Sequence, residues 1–207
     1  MELIYLIIGL LVGITIHECS HAFVADRLGD PTPRIQGRLT LNPLAHIDVV
    51  GTIMMLLFRF GWGKPVQVNN QYFRSPVRDM ALVSLAGPVS NFLVAFVLAL
   101  VLRGVGDGMP DVIFSLLNFV IDVNIVLGVF NLLPFPPFDG SKVVALFVPR
   151  RFEKAYQHFL DKGVVYVILF VVFDAIVLAP LLGHVSLIAR FISFAAAFVK
   201  GVIVLGA

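Results

Sequence analysis

A single cysteine, Cys19, rules out an intrachain disulfide and a cysteine-built metal cluster in this 207-residue chain, so any metal must be held by histidine and carboxylate. Charge is scarce as well. Charged residues are 14% of the sequence against 59% hydrophobic, where a soluble domain carries about a quarter charged. With a mean hydropathy of +0.97, this composition points to an integral membrane protein. A net charge of +2 gives no reason to invoke nucleic acid as a partner, and orientation in a bilayer explains the basic residues better. Glu2 at the start, with no basic residue and no small-residue cleavage pattern, indicates that the first apolar stretch is kept and is not a cleaved signal peptide.

Five apolar stretches are long enough for a bilayer core, which takes about 20 residues: residues 3–25, 81–102, 112–133, 163–182 and 185–205. A sixth, residues 49–60, is interrupted by Arg59 and has the length of a re-entrant or interfacial segment. If it does not cross, all but Arg103 and Arg190 of the fifteen Lys and Arg fall on one side; if it crosses, the split weakens to ten against five. The positive-inside rule then favours five spans with the N-terminus outside and the C-terminus cytoplasmic. The fold class expected is an all-α polytopic membrane protein of about five transmembrane helices plus one re-entrant segment, with six spans as the alternative. Residues 62–73, where Val66 and Val68 alternate with polar neighbours after Pro65, suggest a small membrane-associated β element or an amphipathic loop.

His17-Glu18-Cys19-Ser20-His21 stands inside the first apolar stretch. Positions i and i+4 share one face of a helix, so the two imidazoles can address one zinc ion, with Glu18 beside it as a base for the attacking water and not as a ligand. A capped or core histidine pair is the plainer reading of the same spacing. Cys19 is turned away from the histidine face and reads as a packing residue. A catalytic zinc normally takes three protein ligands, so one is still to be found. The best candidate is Asp139, in the run from Asn131 to Gly140, where Pro134, Pro136 and Pro137 end the helix and allow the chain to fold back. Irregular backbone at membrane depth is tolerated only against protein or a water-filled cavity, and an acid there suggests function; a surface turn or helix cap would use the same residues. Asn131 can donate to a developing oxyanion or bond another helix. Gly9 and Gly13, and Asn91, read as helix contacts.

These motifs resemble those of the site-2 proteases, zinc metalloproteases that cut within membranes, over residues 9–147. His17-Glu18-x-x-His21 is similar to the family's active-site helix. Asn131 to Gly140 is similar to its N-x-x-P-x-P-x-x-D-G element, which implies Asp139 as third zinc ligand and Asn131 as a residue for substrate or oxyanion. Gly87-Pro88-Val89-Ser90-Asn91 resembles its G-P-x-x-N, and residues 37–52 resemble a segment of a compact subgroup, except that Val49 stands where proline is usual. The resemblance further implies that residues 62–73 form a sheet that clamps an extended substrate by β-addition. No internal stretch has room for a PDZ module of about 100 residues.

His46 and Asp48 admit a second metal site, a gate, or a hydrogen-bonded turn, and Asp122 and Asp174 lie in apolar spans without an evident partner. Taken together, residues 1–207 read as one membrane metalloprotease domain, with a catalytic core over 3–147 and a C-terminal helical pair over 163–205. The expected function is intramembrane zinc endopeptidase: one Zn²⁺ held by His17, His21 and Asp139, with Glu18 and Asn131 catalytic, acting on transmembrane proteins in the bilayer from the cytoplasmic side of a cell membrane. A metal-binding transporter or a catalytically silent scaffold would use the same ligands without hydrolysis.

Overall fold

The computed structural model describes residues 1–58, 63–181, 183 and 185–206; Arg59, Phe60, Trp62 and Leu182, which figure in the expectations above, lie outside the described residues. The chain runs through α1 (Glu2–Arg27), α2 (Thr32–Ile35), α3 (Val49–Phe58), α4 (Pro76–Val105), α5 (Asp111–Asn131), α6 (Asp139–Val144), α7 (Glu153–Asp161), α8 (Gly163–Phe173), α9 (Ala179–Leu181) and α10 (Leu187–Gly206). A π-helical turn, Asp174–Leu178, joins α8 to α9, making one rod from Gly163 to Leu181. Five helical segments are long and apolar enough to cross a membrane: Glu2–Arg27, Pro76–Gly108, Asp111–Asn131, Gly163–Leu181 and Leu187–Val204. They coincide with the five expected spans.

Charge placement supports the helix ends. Glu2 sits in the first turn of α1 and Arg27 in its last, each of the sign that opposes the helix dipole. Proline opens α4, where its missing amide costs nothing, and Asp79 reaches back to the Ser75 amide at 3.0 Å. At α3, Asp48 accepts from the Gly51 amide at 2.8 Å, the bond of an N-cap. Val49 is thus the first helical residue, a position that accepts proline readily, and valine there leaves the turn intact.

α1, α4 and α5 form the core of the bundle. The Tyr5 hydroxyl, near the start of α1, donates to the Val112 carbonyl near the start of α5 (3.3 Å), and the far ends of these helices meet through His17, His21 and Asp139, so the two are parallel. α4 runs the other way: Val83 near its start lies on His21, and Asn91, two turns on, reaches His17 and Gly13. α1 and α5 approach closely along the glycine face, where a Cβ at Gly13 would stand 2.6 Å from Leu127 Cδ1. Ala95, Ala99, Ile121, Ile125 and Val129 fill the centre between α4 and α5, and Ile203 brings α10 onto it.

The chain between α1 and α4 leaves and re-enters the bundle at one end. α3 has ten residues, about 15 Å of helix at 1.5 Å per residue, half of a hydrocarbon core of about 30 Å. Both facts agree with five spans and not six.

The small β element is not found. Among the described residues there is no strand, only an isolated antiparallel bridge between Ile47 and Gly63. Beyond it, amides that a sheet would pair are taken by carboxylates: Val66 N–H donates to Glu18 at 2.9 Å, and Asn69 N–H to Asp30 at 2.7 Å. Residues 63–69 are therefore a strap tied down by side chains.

The two acids isolated within apolar spans also find partners in the C-terminal part of the chain. Asp122 on α5 meets Lys200 of α10 at 2.6 Å. Asp174, on the π turn, accepts from the Ser186 hydroxyl (2.5 Å) and the Leu187 amide (3.0 Å), capping α10. A widened turn within the helix aims this carboxylate at its neighbour.

This arrangement makes a topology prediction. In a Cys19→Ser background, single cysteines at positions 34, 74 and 151 should be labelled from one side of the membrane and one at 107 from the other. Opposite labelling at 34 and 74 would contradict the five-span bundle.

Candidate metal centre

Three side chains, all buried, converge where α1, α4 and α6 meet. The helical repeat brings His17 and His21 onto the α1 face that packs on α4, with ring centroids 4.5 Å apart and planes at 87°. The prolines after α5 turn the chain back so that α6 starts at Asp139. Its Oδ2 lies 3.1 Å from both His17 Nε2 and His21 Nε2, and the three potential ligand atoms lie within 4.8 Å of one another.

The outer nitrogens decide what the inner ones can do. His21 Nδ1 lies 2.7 Å from the Val83 carbonyl oxygen, which only accepts, so Nδ1 carries the proton and Nε2 the lone pair. His17 Nδ1 lies 2.7 Å from Asn91 Oδ1. The Asn91 amide is itself oriented: its NH₂ donates to the Gly13 carbonyl at 3.1 Å and to Asn124 Oδ1 at 3.0 Å, while Asn124 donates to the Val120 carbonyl at 2.8 Å. This chain of bonds makes Asn91 Oδ1 an acceptor and His17 Nδ1 a donor. With both rings neutral, two imidazole lone pairs and a carboxylate oxygen point at one another, an arrangement that a cation between them would relieve. Two nitrogens and one oxygen, with both rings held from behind, fit a catalytic zinc site.

Charge and space agree with this. Lys142 Nζ stands 3.6 Å from the other Asp139 oxygen, Oδ1. Gly87 on α4 leaves the rings room: a Cβ there would sit 2.5 Å from His17 Nε2 and 2.6 Å from His21 Nε2.

Glu18 is half-buried beside the cluster, with Oε2 accepting from Val66 N–H. Asn131, at the end of α5, donates one N–H to the Leu127 carbonyl at 2.9 Å. His46 and Asp48 stay apart from the cluster: His46 Nε2 bonds the Thr40 carbonyl at 2.9 Å and Asp48 caps α3. Among the described residues no second group of potential ligands is found there. Cys19 is a free thiol outside the ligand group. Reading Asn91 as a helix contact caught its bonds to Gly13 and Asn124 but missed His17. Its place in the G-P-x-x-N motif, between the two halves of the site, was the available signal.

Peptidase family M50 matches residues 5–109 and 106–174. The "Putative zinc metalloprotease YwhC" of Bacillus subtilis (strain 168) is 41% identical over 191 residues, covering 86% of each chain. The "Putative zinc metalloprotease Rip2" of Mycolicibacterium smegmatis is 35% identical over 66% of this chain, which spans about half (54%) of that protein. The "Zinc metalloprotease MJ0392" of Methanocaldococcus jannaschii is 23% identical over 71% of this chain and 35% of its own length. No solved structure matches.

The site geometry predicts how zinc content responds to substitution. Asn91→Ala should weaken zinc binding about 10- to 100-fold in chelator competition, because His17 loses the partner that orients it. Gly87→Ala should lower zinc occupancy by displacing both rings. Native affinity in both variants would show that neither the ring orientation nor the space around it matters to the metal.

Proposed function

Since the chain belongs to peptidase family M50 and is a zinc metalloprotease of the site-2 type, we propose that it is an intramembrane endopeptidase that cuts membrane proteins in or near their transmembrane segments. His17, His21 and Asp139 hold the metal, Glu18 is the general base, and Asn131 donates to the oxyanion. The observation that carries this reading is the convergence of the two imidazoles on Asp139 Oδ2 at 3.1 Å, next to Glu18, within apolar helices.

Bound zinc would supply Lewis-acid polarisation of the scissile carbonyl and a lowered pKa for water. The protein's own residues do the rest. The Glu18 carboxylate takes the proton of the attacking water and returns it to the leaving amine. The Val66 amide holds Oε2 of that carboxylate, which fixes its direction. Asn131 has a second N–H beyond the one given to Leu127, and it can donate to negative charge on the carbonyl oxygen. Asp139 and the two histidines sit near the end of the bundle that carries the basic loops, which supports an active site toward the cytoplasmic side. A transmembrane helix shields its peptide bonds, so the substrate must unwind locally before water reaches them.

Cleavage of a labelled transmembrane peptide in detergent tests the proposal. Glu18→Gln should keep its zinc and lose activity by about 10²- to 10⁴-fold; equal cleavage by the native and Glu18→Gln chains would overturn it. Asn131→Ala should lower kcat about 10²- to 10³-fold with zinc retained.

Substrate presentation makes a separate prediction. Gly or Pro near the scissile bond should speed cleavage and Leu or Ala slow it, since Gly or Pro lowers the cost of leaving the helix by roughly 1 to 3 kcal/mol. Val66→Pro, which removes the amide bonded to Glu18, should lower kcat with zinc intact. Equal rates on stiff and weakened substrates would discard the unwinding step while leaving the metal site untouched.

A further inference from the structure

An open apolar groove of about 440 Å³ lies apart from the metal centre, between the chain leaving α6 and the helix α7. Val144, Phe147, Val148, Phe152, Tyr156 and Phe159 line it. Phe152, Tyr156 and Phe159 recur at helical spacing, so α7 turns one face to the groove and its charged residues elsewhere. Two of the aromatic rings are far from covered: Phe147 is 80% exposed and Phe152 50%.

Position and charge identify what fills it. α7 ends at Asp161, two residues before the membrane-spanning rod starts at Gly163, so the groove lies where the apolar span meets water. Arg150, Arg151, Lys154 and Lys162 cluster there against Glu153 and Asp161, all exposed, and the four cations have no ion-pair partner among the described residues. The Arg151 guanidinium lies over the Phe152 ring, 4.7 Å from its centre, which sets positive charge at the mouth of the apolar space. Apolar lining below and unpaired basic groups at the rim match an acyl chain below an anionic headgroup. We propose that this groove binds an anionic phospholipid of the bilayer, its acyl chain against Phe147, Phe152 and Phe159 and its headgroup phosphate among Arg150, Arg151 and Lys154.

The groove is joined to the turn that carries Asp139. Tyr156 donates its hydroxyl to the Ser141 carbonyl at 2.6 Å, two residues along α6 from Asp139. A lipid seated on α7 steadies that turn from the membrane side.

The full chain, reconstituted in phosphatidylcholine with phosphatidylglycerol as a minor component and then extracted in mild detergent, tests this through the lipids that stay bound. Mass spectrometry should find phosphatidylglycerol enriched about tenfold over its share of the bilayer. The variant Arg150→Gln/Arg151→Gln/Lys154→Gln should return it to the bulk share with zinc content unchanged, and Phe147→Ser/Phe152→Ser should lower total retained lipid. Should the triple variant fail to fold, salt gives the second measurement: high ionic strength must release phosphatidylglycerol from the native chain. Retention at the bulk share, enrichment that persists in a folded triple variant, or salt-insensitive retention would overturn the proposal. So would crosslinking of two chains through Phe147→Cys in a Cys19→Ser background, which would give the groove to a second copy.

Discussion

Inside apolar helices, the protein assembles three groups that repel one another unless a cation lies between them. His17 Nε2, His21 Nε2 and Asp139 Oδ2 converge, and their outer bonds to Asn91 and Val83 turn both imidazole lone pairs inward. Burying a carboxylate without compensation costs several kcal/mol, so this convergence dictates much of the surrounding fold. α1 and α5 must run parallel for their ends to meet, α4 must pack against both without a side chain at Gly87, and the chain after Asn131 must abandon helix to bring Asp139 back.

The supporting structure shows how polar groups are kept satisfied at membrane depth. Asn91 and Asn124 are fully buried, yet their bonds end on the Gly13 and Val120 carbonyls and on His17. Interhelical bonds of this kind contribute about 0.6 kcal/mol each on average in membranes, so their larger effect here is geometric: they fix one ring tautomer and join three helices around it. The Asp30 and Glu18 carboxylates perform a similar task for the strap of residues 63–69, whose amides would otherwise lack partners. Glu18 is both next in sequence to a potential metal ligand, His17, and bonded to the strap through Val66.

Hydropathy made the spans legible because a bilayer imposes a length that apolar runs reveal directly, and all five recur as helices. Spacing made His17 and His21 legible as a pair, since i and i+4 share a helix face. Asp139 needed the proline-broken run around it to stand out. Contacts made across the bundle were a different matter. The bond from Asn91 to His17 joins residues 74 apart, and the G-P-x-x-N motif marks the asparagine without naming its partner. Asp122 paired with Lys200, and Asp174 capping α10 through a π turn, are invisible for the same reason. The strand expected near Val66 and Val68 failed because alternation describes side chains, while the amides there were claimed by Glu18 and Asp30.

Zinc K-edge X-ray absorption on the purified chain addresses the metal centre most directly. The account predicts a first shell of nitrogen and oxygen only, at about 2.0–2.2 Å, with outer-shell scattering from two imidazoles. A sulfur neighbour at about 2.3 Å, which only Cys19 or a methionine could supply, or an imidazole count other than two, would contradict it.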